Sequence, residues 1–156
     1  MNTKDVFSEF PGDSRVWLYQ TDRALKDSEI TLVKNRLNSF VKEWAAHGNK
    51  LWANADILNP YFVVVSVNDS LTPPSGCSID ASVKELQDLG KELNVDFFTR
   101  MKVTYDNNGE MSQLPFSELS SIDENTLIYD SLISKLEDLR TKFPVSLKDS
   151  SFAHLV

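Results

Sequence analysis

The chain has 156 residues, with 16 Lys and Arg against 23 Asp and Glu and a net charge of −7. Nucleic-acid binders cluster cations to neutralise phosphates, and no such cluster occurs here, so nucleic acid and anionic membrane are set aside as partners. A protein or a small molecule remains.

Length and a 41% hydrophobic content fit one globular domain over residues 1–156, large enough to hold a core without metal or disulfide. The single cysteine cannot close an internal disulfide, which fits a reducing cytoplasm. Residues 1–12 show no apolar signal core, and no stretch reaches the ~18 apolar residues of a membrane span. A cytoplasmic location is therefore expected, with residues 1–14 loosely ordered.

Arg15–Gln20 (RVWLYQ) is rich in β-branched and aromatic residues and predicts a first strand. Ile30, Val33, Leu37, Phe40, Val41 and Trp44 recur at three- and four-residue spacing. This predicts a helix near 28–47, ended by Gly48 and with His47 in its last turn. Asn59-Pro60 separates a weakly alternating segment, Leu51–Leu58, from Tyr61–Val67, which predicts a hairpin with a buried central strand. A second helix is expected near 78–94, with Ile79, Val83, Leu86 and Leu93 on one face and Asn94 as a stop.

Asn107-Asn108-Gly109 is a hairpin signal between strands at 101–105 and 110–114. A short helical piece at 116–121, a strand at 126–129 and a helix at 131–143 follow. The apolar tail, with Leu147 and Phe152, is expected to pack on the body. The order predicts an α+β fold: a ferredoxin-like βαββαβ antiparallel sheet with a hairpin extension and a C-terminal helix. In that topology His47 and Cys77 share one end of the domain.

Ser75-Gly76-Cys77-Ser78-Ile79-Asp80 is the segment with the most chemistry. A helix N-terminus favours a thiolate, so Cys77 with His47 as base would make a nucleophile pair or a redox sensor. Asp80 in the same turn opposes a thiolate or a bound phosphate. Ser75, Gly76, Cys77, Ser78 and Asp80 form the candidate ligand site, and the competing reading is an ordinary helix cap made by Ser75 or Ser78. His154 is expected to be a packed or exposed tail residue.

No metal site and no cofactor is expected, since one Cys and two His give no ligand set. Asp106–Gly109 lacks a calcium-loop pattern. The glycines, at 12, 48, 76, 90 and 109, form no phosphate-binding loop, no dinucleotide fingerprint and no nucleophile elbow.

RVWLYQ, WAAHG, SGCSIDASV, ENTLIYDSL and KDSSFAHL, in this order, resemble a bacterial family of roughly this length, often labelled "ABC transporter ATPase". The resemblance spans the chain from Arg15. It implies a stand-alone cytoplasmic protein and supplies no catalytic residues. The label conflicts with the missing phosphate-binding loop. The sequence thus favours a small binding or protein-interaction domain without catalysis, with a thiol enzyme or sensor at Cys77 as the alternative.

Overall fold

A computed structural model describes residues 2–156. The first half follows the expected strand-helix-strand-strand-helix order with a short, unexpected ribbon inserted: β1 (Arg15–Gln20), α1 (Asp27–Glu43), the ribbon β2 (Ala45–Ala46) and β3 (Asn49–Lys50), then β4 (Ala53–Asn59), β5 (Phe62–Val67) and α2 (Gly76–Leu93). The second half holds β6 (Lys102–Asn107), β7 (Glu110–Pro115), a 3-10 turn at Phe116–Ser121, β8 (Leu127–Tyr129), α3 (Leu136–Thr141) and β9 (Val145–Ser146). The fold is α+β with antiparallel sheets.

β5 is the centre of the first sheet, whose order is β1-β5-β4. Every residue of β5 is buried, because it is covered on both faces. Val63, Val65 and Val67 face α1 and α2, where they meet Val33, Leu37, Leu86 and Leu89. Phe62 and Val64 face the opposite way, against Phe7, Phe10, Tyr129, Leu136 and Phe143. Of the α1 stripe, Val33, Leu37 and Val41 are buried and Ile30 and Phe40 partly so, and Trp44, just past the helix end, is 4% exposed.

The expected four-stranded sheet does not form. β6, the presumed fourth strand, belongs to a second sheet of order β7-β6-β8-β9. A buried side chain stands in the way. Gln20, at the end of β1, donates to the carbonyls of Thr99 (3.2 Å) and Lys102 (2.9 Å) and accepts from the Thr104 hydroxyl (2.8 Å). Gln113 extends this seam to Thr21 O and Thr104 Oγ1. Side-chain bonds from Gln20 thus replace strand pairing between β1 and β6. The second sheet closes its own small core from Val103, Leu114, Leu119, Ile128, Leu147 and Phe152, so the tail does pack.

Two further local expectations are corrected. The first helix ends at Glu43, and His47-Gly48 instead forms the two-residue turn between β2 and β3, with φ of 51° and 79°. The helix expected over 131–143 shrinks to Leu136–Thr141. Asp130 Oδ1 takes the Leu132 N–H at 2.9 Å in a turn, and residues 134–136 pair briefly with β1 around Arg15. Within residues 3–14, side chains and carbonyls meet the body of the domain. Arg140 donates to the carbonyls of Val6, Phe7 and Phe10, and Phe7 and Phe10 are each 8% exposed. Met1 lies outside the described residues.

Candidate functional site

The Ser75–Asp80 segment behaves as a cap. Ser75 is the N-cap of α2, accepting from the Ser78 N–H at 3.1 Å. Its own N–H donates to Ser78 Oγ at 2.7 Å. Both hydroxyls are therefore engaged in a reciprocal box. Gly76, Cys77 and Asp80 are exposed. Trp44 Nε1 donates to Ser78 O at 2.7 Å, which ties the β2–β3 hairpin to the start of α2. His47 is exposed on that hairpin, and no hydrogen bond joins it to Cys77. Neither residue lines the three surface grooves of about 520, 580 and 590 Å³. Among the described residues, no group of three His, Cys, Asp or Glu side chains converges as a metal would need. No helix among them is long and apolar enough to cross a membrane.

A different place combines concavity with unpaired polar groups. It is a groove of about 520 Å³ along the outer edge of β1, bounded by residues 97–100, residues 131–134, Phe116 and Phe152. Ligand sites in proteins typically fall at roughly 300–1,000 Å³, mostly apolar with a few convergent polar groups.

The strand pairing fixes what faces the groove. In an antiparallel ladder, alternate residues bond to one side. Thr21 N–H bonds inward, to Tyr61 O at 2.8 Å. Trp17 and Tyr19 share that inward register with Val65 and Val63 of β5. Val16, Leu18 and Gln20 therefore present their backbone groups outward. The outer ends of this row are taken: Val16 N–H bonds to Ser134 O at 2.9 Å, and Gln20 O accepts from Thr99 N–H at 3.2 Å. Between them, Val16 C=O, both backbone groups of Leu18 and Gln20 N–H have no hydrogen-bond partner among the described residues. Thr99 Oγ1, on the groove's lining, is buried and also unpartnered.

Both walls are held rigidly. Asp130 Oδ1 and Oδ2 accept from the Leu132 and Ser151 N–H groups, each at 2.9 Å, which fixes the 131–134 wall. Asp96 Oδ1 accepts from Phe98 N–H at 2.8 Å, and Asp22 and Asp96 bond to each other's backbone, which fixes the 97–100 wall. Phe116 and Phe152 stack edge to face at 5.3 Å between centroids and close the far side. Tyr19 packs against Phe98 at 5.6 Å, and burial pushes its hydroxyl pKa up against the opposing pull of Ser82.

A second groove, about 580 Å³, is lined by Phe10, Val41, Leu51 and exposed Trp52 beside the start of β4. The free edge of β4 differs from that of β1. Asn54 Oδ1 accepts from Ala55 N–H at 2.9 Å and Asp56 Oδ1 from Ile57 N–H at 2.8 Å. These are two of the outward N–H groups of β4, each capped by the preceding side chain, while the outward carbonyls of Ala53, Ala55 and Ile57 stay open among the described residues.

Sequence reasoning pointed to residue types, Cys77 and His47, and missed the β1 edge. The strand itself was expected, but the signal for an open edge is backbone geometry, which leaves no signature in side-chain identity. Comparison with protein-family models, curated proteins and solved structures returns no match.

Proposed function

We propose that the chain is a binding domain without catalysis of its own, and that its ligand site is the groove beside β1. The observation that supports this is the row of four open backbone groups from Val16 to Gln20, with the unpartnered Thr99 hydroxyl beside them. Unpaired groups in a half-buried setting are costly, and a ligand that pairs them recovers that cost. Backbone N–H and C=O groups side by side select a ligand with an amide's donor and acceptor. They offer no nucleophile and no general base. The β1-β5-β4 order with α1 and α2 is that of a ferredoxin-like unit lacking its fourth strand.

The experiment is a backbone-amide NMR titration with N-methylacetamide and acetyl-capped dipeptide amides. Shifts concentrated at Leu18, Gln20, Thr99 and 131–134 are expected. Shifts concentrated at Trp52 and Lys50, or around Cys77, would move the site elsewhere.

A further inference from the structure

We infer that the β1 groove receives an extended, acidic segment of a partner protein, docked as an added strand on Leu18. This rests on reading the groove as the binding site and goes further by naming the occupant. The geometry of the open groups sets the backbone requirement. Alternating donors and acceptors along a strand edge are matched by another extended backbone, the interaction used in β-strand addition. The slot between the Ser134 and Thr99 pairings admits about three residues, roughly 10 Å of strand. Its ends are closed along β1, so the incoming segment turns away from the sheet at both sides.

Charge sets the sequence requirement. The chain carries 23 acidic residues and a net charge of −7, yet no acidic residue lines this groove. Its rims carry cations instead. Arg100 is on the lining, Arg15 stands at the start of β1, and Lys135 pairs across from Arg15. All three are exposed, and none makes an ion pair with a described residue. Arg15 lies over the Trp17 ring at 4.6 Å, which holds its guanidinium at the rim. An acidic residue on each side of a three-residue apolar centre would meet a cation at each end. A basic segment would meet like charge there.

The test uses two pools of fluorescein-labelled octapeptides, measured by anisotropy at low salt. Both have central residues drawn from Val, Ile, Thr and Phe. One pool is flanked by Asp and Glu, the other by Lys and Arg. The acidic pool is expected to bind at least about tenfold tighter, and to weaken as salt rises. N-methylation of the central backbone amides should reduce its binding by about tenfold or more, because a methylated amide cannot complete the ladder. The Arg15→Glu/Arg100→Glu double variant should abolish the preference for acid while leaving the melting temperature near wild type.

Equal affinity for both pools, indifference to N-methylation, or no peptide binding up to millimolar concentration would overturn the inference. Concentration-dependent dimerisation through the same groove would overturn it too. N-methylacetamide shifts at Leu18 without any peptide preference would leave the groove as the binding site and reject only the acidic strand.

Discussion

The two edges of the first sheet face the same hazard and meet it differently. β4 and β1 flank the same fully buried strand, β5, and each has one free side. Exposed strand edges template unwanted pairing, and proteins commonly blunt them with polar side chains or cover. On β4 the covering is local: Asn54 and Asp56 cap the next residue's N–H, and Lys34 sits 3.4 Å from Asp56. On β1 the two ends are closed by distant segments, through Ser134 and Thr99, and the middle is left open. On β4 the edge's own side chains occupy the donors at Ala55 and Ile57 and leave its outward carbonyls open. An edge framed by rigid walls with its centre unpaired has the form of a receptor.

The largest effect comes from the strand both edges share. Phe62→Ala removes a fully buried ring that meets Phe143 at 5.1 Å and Tyr129 at 6.2 Å. A loss of roughly 3–5 kcal/mol is expected in denaturant unfolding. A loss below about 1 kcal/mol would mean that β5 is not the common support of the two edges.

Gln20→Ala comes next. It strands the carbonyls of Thr99 and Lys102 and the Thr104 hydroxyl in a buried seam, for about 2–3 kcal/mol. Amide protection should fall at Thr99 and Arg100 while staying unchanged along β4. Equal loss on both edges would show that the seam does not specifically hold the β1 wall.

Removing the β4 caps sharpens the contrast. Asn54→Ala/Asp56→Ala is expected to cost about 1 kcal/mol and to promote self-association in sedimentation velocity at high concentration. A sedimentation profile identical to wild type would argue that the caps are not what blunts that edge.

The smallest effect concerns α1, which covers the face between the edges. Arg23 forks onto Glu29 at 2.9 and 2.8 Å and also donates to Leu93 O. The Arg23 bond, then the Lys26 N–H, hold the Glu29 carboxyl down to about 2. An unfolded Glu titrates near ~4.3, so the folded state is favoured fully above that pH and loses the contribution as pH falls toward 2. With Arg23 more than a third exposed, solvent screening limits the gain to under about 1 kcal/mol. Glu29→Gln should melt slightly lower than wild type at pH 7, with the gap closing between about pH 4.5 and 2. A gap that widens on acidification would contradict the sign.

What was legible in the sequence was local. The α1 stripe, the buried β5 run, the Asn94 stop and the Asn108-Gly109 turn each depend on residues within a few positions of one another. Serine capping of α2 was visible as one of two readings, and Ser75 and Ser78 carry it out. The departures all depend on distant partners. β6 leaves the first sheet because Gln20 meets Thr104, 84 positions away. The 131–135 stretch stays out of a helix because it pairs with Arg15 and is turned by Asp130. His47 left the helix because a two-residue hairpin competed for it, a local alternative that the Gly48 stop obscured. The candidate site was the least legible part: Cys77 drew notice by its element, whereas the groove is made of main-chain groups that any sequence carries.

Native-state hydrogen exchange of the free protein tests the open edge most directly. Trp17 and Tyr19 bond inward to β5 and should exchange slowly, near the global unfolding limit. Leu18, between them in sequence, should exchange at least about tenfold faster because its N–H faces the groove unpaired. A Leu18 amide as protected as its two neighbours would mean that the β1 edge is closed, and the binding site proposed here would fall with it.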